Sequence, residues 1–169
     1  MNAKPMLLTL GLYLLALTLA ASAPRASRFE ARTTGAKTLT LRGAAEFGAG
    51  APHGAHTPFV LALGADSPDG AVIFTRQDGG RLGPGVYALD AGEAGGVQAL
   101  VVTGSPTRPT GAFHARTGTL TITGSRADFI EGRFDIDAVG FEAAAPGDET
   151  RELVVRGAFT ASPGARPGQ

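Results

Sequence analysis

Gly118-Thr119-Leu120-Thr121-Ile122-Thr123 and, beyond a polar break at Gly124 to Asp128, Ile130-Glu131-Gly132-Arg133-Phe134-Asp135-Ile136-Asp137 carry the pattern that decides the fold. In the first stretch Thr119, Thr121 and Thr123 alternate with Leu120 and Ile122. In the second, Ile130, Phe134 and Ile136 alternate with Glu131, Arg133, Asp135 and Asp137. A period of two puts successive side chains on opposite faces of an extended strand, where a helix needs 3.6. Both stretches therefore read as strands with one face in a core and one in water, as in an antiparallel sheet.

Working outward, the same period recurs. From Leu39 to Phe47 the odd positions are Leu39, Leu41, Gly43, Ala45 and Phe47, with Thr40, Arg42 and Glu46 between them. Phe59-Val60-Leu61-Ala62-Leu63 and Ala71-Val72-Ile73-Phe74 are apolar on both faces, which predicts central strands. Asp66-Ser67-Pro68-Asp69-Gly70 between them is turn chemistry, with Pro fixing φ and Gly tolerating positive φ. Val86 to Leu89, Gln98 to Thr103 and Leu153 to Phe159 add further strands. After Ile136 the apolar parity changes to Val139 and Phe141, which predicts a β-bulge near Ala138–Gly140. The expectation is an all-β domain over residues 37–161, a single antiparallel β-sandwich or small β-barrel of about eight or nine short strands. Residues 24–36 are expected to form a linker or entry strand, and 162–169 a disordered Pro/Gly tail.

The N-terminus has a different character. Met1-Asn2-Ala3-Lys4-Pro5 carries one positive charge, Met6 to Leu19 is apolar, and Ala21-Ser22-Ala23 is a small-x-small triplet. That layout predicts a signal-peptide helix over residues 1–23, cleaved after Ala23. The apolar run is too short for a span of roughly 20 residues, so no membrane span is expected after cleavage. Lipid attachment needs a Cys after the run, and the chain has none. The expected location is periplasmic or extracellular. An outer-membrane barrel is disfavoured by short strands, by the absence of Trp and by Tyr87 being the single Tyr after the leader.

Without the leader, 146 residues remain, with 14 basic and 15 acidic side chains. That size suits one domain with a real core, and near-neutrality gives no electrostatic footprint for nucleic acid. The absence of Cys excludes disulfides, thiolate nucleophiles and Cys-ligated metals. Arg outnumbers Lys 13 to 2, and Ala and Gly abound, consistent with a GC-rich bacterial source.

The C-terminal strands also carry a resemblance. Gly118 to Thr123, Ile130-Glu131-Gly132-Arg133-Phe134-Asp135-Ile136 and Val155-Arg156-Gly157-Ala158-Phe159 together follow a GTLTIT…I-x-G-x-F-x-I…V-x-G-x-F pattern. The pattern is similar to that of uncharacterised exported bacterial β-domains, many of them lipoprotein-like proteins of unknown function. Arg42-Gly43-Ala44-Ala45-Glu46-Phe47 and Pro84-Gly85-Val86-Tyr87 fit it more loosely. The resemblance implies a fold and a compartment, and no catalytic residue or cofactor.

Candidate chemistry is sparse. His53 and His56 are the one close pair of His residues, and they are the metal-site candidates. Glu46 and His114 are available as further ligands, but zinc needs three or four that converge. Asp66 and Asp69 lack the calcium-loop pattern. No G-x-S-x-G occurs, and His114, next to the apolar Phe113, should point to solvent. Gly79-Gly80-Arg81-Leu82-Gly83-Pro84-Gly85 precedes a strand, not the helix that phosphate binding requires, and reads as a flexible turn. Glu131, Arg133, Asp135 and Asp137 read as a solvated strand face paired across strands. The preferred reading is a non-enzymatic binding module holding a small apolar ligand, or a protein of the cell envelope, in its interior or on an open face. The alternative is a metal-dependent or hydrolytic periplasmic enzyme using His53 and His56. A third is assembly through an exposed edge strand.

Overall fold

The computed structural model describes residues 26–52, 56–89, 96–105, 107–143 and 150–164. The expected leader and the end of the expected tail lie outside them. The described chain is all-β, with ten strands: β1 (Arg28–Gly35), β2 (Thr40–Gly43), β3 (Ala45–Ala49), β4 (Phe59–Leu63), β5 (Gly70–Arg76), β6 (Gly85–Ala88), β7 (Val97–Ser105), β8 (Arg108–Arg126), β9 (Phe129–Glu142) and β10 (Arg151–Pro163). No described residue is helical.

Pairing begins with the β1–β2 hairpin. β1 lies along β10, from Arg28 opposite Thr160 to Gly35 opposite Leu153. On its other side β10 pairs with β9 from Arg151 to Ala161, β9 with β8, and β8 with β7. The path continues through β5, β4 and β3, and β3 meets β10 again in parallel at Ser162 opposite Glu46 and Pro163 opposite Phe47. The hydrogen-bonded path thus returns to its start. It is not a clean barrel, because β10 is shared along one edge by β1 and β3, and β8 by β7 and β6. All pairing between strands is antiparallel except the short β3–β10 contact. The ends of the sheet order are β2 and β6, four residues each, and short edges offer little template for further pairing.

Inward-facing side chains from every strand except β6 form one core cluster, with Phe74, Phe113, Leu61, Leu120, Ile136 and Leu153 fully buried. The Gly and Phe positions of the C-terminal pattern have a packing explanation. In the β9–β10 register Gly132 faces Phe159, and Phe134 faces Gly157. A Cβ on Gly157 would lie 2.7 Å from the Phe134 ring, and one on Gly132 3.2 Å from the Phe159 ring. Each strand supplies the space the other's ring fills. Phe134 then sits edge-on to Phe74, with centroids 5.4 Å apart.

Two expectations are corrected. The predicted bulge at Ala138–Gly140 is absent from β9, whose alternation continues with Ala138 and Gly140 buried and Phe141 57% exposed. The extra residue lies on the partner strand: Ala115 pairs with Ala138 but Thr117 with Asp137, leaving Arg116 unopposed. There the buried parity of β8 changes from Phe113 and Ala115 to Leu120 and Ile122. The outer face at Val139 and Phe141 is itself apolar, so hydropathy alone assigns these residues to the wrong side. Second, the long strands are not short: β8 has 19 residues, β9 14 and β10 13. Bulges let β8 stay paired while it changes face, and Ala127-Asp128 alone turn the chain where a longer loop is predicted. β1, at Arg28–Gly35, lies within residues 24–36, and β10 runs on through Pro163.

Candidate functional site

The interior is apolar. Side chains of every strand except β6 pack there against one another, with Tyr87 of β6 against the cluster, and no charged residue is buried among the described residues, so the charged chemistry lies on the outer surface.

Outward positions follow from register. Glu46, Ala62, Ile73, Leu100, His114 and Val139 are directly opposed from β3 through β4, β5, β7 and β8 to β9. A second row runs Ala71, Val102, Ala112, Phe141, and a third runs Val60, Thr75, Gln98. Val60, Ala62, Ile73, Leu100, Val102 and Val139 are half-buried by each other, while Ala112, His114 and Phe141 are exposed. A half-solvated antiparallel sheet ordinarily carries polar residues on its outer face. Here four neighbouring strands present aliphatic residues outward, and no described element covers them. This is why Phe59–Leu63 and Ala71–Phe74 read as apolar on both faces. Their centrality in the sheet follows, but a covering layer does not. Half-buried aliphatic residues gathered in this way around the exposed Phe141 are the apolar surface available to a partner. His114 stands in its middle, between Leu100 and Val139, opposite in facing to the buried Phe113 as alternation requires.

The other candidates resolve locally. His53 lies outside the described residues, and His56 is exposed. Among the described residues no three His, Asp or Glu side chains converge as a metal site would. Asp66 and Asp69 flank a structural turn: Ser67, 3% exposed, accepts the Asp69 amide at 3.3 Å. The face of Glu131, Arg133, Asp135 and Asp137 is paired across strands, with Arg156 donating to Asp135 at 2.8 Å.

The glycine-rich segment after β5 is pinned instead of loose. The Gly80 amide donates to Asp78 at 2.8 Å and Arg76 to the same carboxylate at 2.7 Å, which together hold the Asp78 pKa below its ordinary value. Leu82 is fully buried, and Tyr87 donates to the Gly83 carbonyl at 2.9 Å. Arg81 donates to the carbonyls of Arg126 and Phe129 and lies 4.4 Å over the Phe47 ring. One side chain thereby ties this segment to the β8–β9 turn and to β3. The signal available was Leu82, an isolated large apolar residue among glycines. A second cluster was illegible because its members are far apart in sequence. Lys37 lies 3.2 Å from Glu142 and donates to Thr110 at 3.0 Å, while Arg151 is 3.9 Å from Glu142. It fastens the β1–β2 turn to the ends of β9 and β10.

No family model, no curated protein and no solved structure matches this chain.

Proposed function

We propose that the chain is an exported, non-enzymatic binding module of the cell envelope, and that its docking surface is the apolar outer face of β4, β5, β7 and the adjoining parts of β8 and β9. The observation that carries this reading is the opposed row Ala62, Ile73, Leu100, Val139 with Val102 and Phe141 beside it. The partner is a protein presenting an apolar strip of its own; the packed interior argues against a ligand held inside. Residues 1–23 support export, and the resemblance of the C-terminal strands to exported bacterial β-domains points the same way.

The opposite side of the molecule argues for a water-exposed domain rather than a lipid-embedded barrel. Arg28, Glu30, Arg32, Asp135 and Arg156 all face outward there. An Arg at the lipid face of a barrel costs roughly 2–4 kcal/mol at the midplane. Binding of bis-ANS to the folded protein tests the docking surface. Native protein should enhance the dye's fluorescence, and the Ile73→Asp/Leu100→Asp variant should lose most of the signal while keeping its β circular dichroism. Absence of dye binding by the native protein, or equal binding by the variant, removes the reading.

A further inference from the structure

The outer face opposite the apolar one is built around a small residue. Ala158 on β10 is exposed, directly opposed by Glu30 on β1 and by Arg133 on β9. Arg28 and Arg32 are its diagonal neighbours on β1, and Arg156 is two residues away on its own strand. Directly opposed residues of adjacent strands are about 5 Å apart and diagonal ones about 7–8 Å, so four guanidinium stems rise around one methyl group. Three shallow depressions open here: one lined by Arg28, Glu30 and Arg42, one by Glu30, Arg32 and Arg156, and one by Arg133, Arg156, Asp135, Thr119 and Thr121. The first two share Ala158.

The charges are unevenly satisfied. Arg42 pairs with Glu30 at 3.1 Å and Arg156 with Asp135 at 2.8 Å. Among the described residues Arg28, Arg32 and Arg133 stand in no ion pair within 4 Å, and Arg32 acts on Glu30 only at longer range. Arg32 is moreover set directly opposite Arg156, an arrangement that repels. A sheet face keeping like charges side by side is best relieved by an anion from outside, and guanidinium forks match carboxylate, sulfate and phosphate oxygens bidentately. Beside the basin the chemistry changes. Thr121 opposes Arg133, Thr119 opposes Asp135 and Thr117 opposes Asp137, giving a strip of hydroxyls and carboxylates suited to the hydroxyl groups of a sugar. No aromatic side chain faces outward on this surface among the described residues, so nothing offers stacking to a nucleic-acid base.

We infer that the face centred on Ala158 binds an acidic polysaccharide, its acid groups on Arg28, Arg32 and Arg133 and its hydroxyls along Thr117, Thr119 and Thr121. This site is independent of the apolar docking surface and stands or falls without it. The test uses polygalacturonate as probe in low-salt buffer, with neutral dextran, a single-stranded oligonucleotide and phosphatidylglycerol vesicles as comparisons. The native protein should bind polygalacturonate, weakening as salt rises, and bind the other three at least ten-fold more weakly. The Arg28→Gln/Arg32→Gln/Arg133→Gln variant should lose at least ten-fold in affinity. Ala158→Asp, which puts a competing carboxylate in the basin without removing any Arg, should do the same. Arg116→Gln, on β8 outside the basin and paired with Glu152, should bind as the native protein does. No binding to polygalacturonate, undiminished binding by both basin variants, or equal binding of oligonucleotide or vesicles would overturn the assignment.

Discussion

At the scale of single residues, the reciprocal Gly–Phe packing between β9 and β10 makes the sharpest demand on sequence. A methyl group at Gly157 meets the Phe134 ring and the Ala31 Cβ, each 2.7 Å away, and the Glu30 carbonyl at 2.6 Å. Gly157→Ala should therefore cost about 1–3 kcal/mol, as overpacking does, read as a lowered urea midpoint. Phe134→Leu in that background should recover part of the loss, a coupling visible in a double-mutant cycle. Phe113→Ala, which empties a fully buried site, should cost about 3–5 kcal/mol. Asp78 gives a pH-dependent counterpart. Its folded pKa is depressed first by the Gly80 amide and then by Arg76. Stabilisation from these bonds is present above the unfolded aspartate pKa and is lost as pH falls through the lower folded value. NMR titration should find the Asp78 carboxyl midpoint below the ordinary aspartate range, with the Gly80 amide shift following it. Arg76→Gln should raise that midpoint without restoring it, since the amide remains.

At the scale of strands, alternation in the sequence located nearly every strand, and the inward residues of 119–123 and 130–136 lie inward in the structure. What alternation could not do was count residues that oppose nothing. Arg116 looks like any polar strand residue, yet it is the position at which β8 changes face. Deleting it should turn Leu120 and Ile122 outward and abolish the near-ultraviolet dichroism of a packed core. Arg116→Gly keeps the residue count and should shift stability by less than about 1 kcal/mol, within the range of exposed substitutions. The apolar outer face was half legible for the same kind of reason. Hydropathy detected two-sided apolar strands at Phe59–Leu63 and Ala71–Phe74, but Leu100, Val102, Val139 and Phe141 join them only through register. The basin around Ala158 was not legible at all, because β1, β9 and β10 meet across more than a hundred residues of sequence. Ile130-Glu131-Gly132-Arg133 supplies another check on β9, since it matches the recognition sequence of a protease used to remove fusion tags. Paired on both sides, this stretch should resist that protease in the folded protein and be cut after addition of denaturant.

At the scale of the molecule, two unlike outer faces share one core. One is aliphatic and interrupted by His114; the other is charged and centred on a methyl group. The proposed occupants are a protein on one side and an acidic polymer on the other, and because the faces are separate, mutations in one should leave binding at the other unchanged. Far-ultraviolet dichroism of the mature chain should be that of a β protein, without a helical component. Mass spectrometry of material recovered from the periplasm or medium should find a mature N-terminus at Pro24.

The seam between β3 and β10 has a consequence for how the polypeptide is made. Its two bridging pairs link Glu46 and Phe47 to Ser162 and Pro163, so the ring is shut by almost the last described residues. Contacts this distant in sequence form slowly, because the intervening loop must first lose its freedom. Until β10 has been synthesised, β1, β3 and β9 all lack this neighbour. A chain lacking β10 leaves these strand edges open to pairing with other chains, so a stop codon just before Arg151 should yield aggregates rather than a smaller soluble domain.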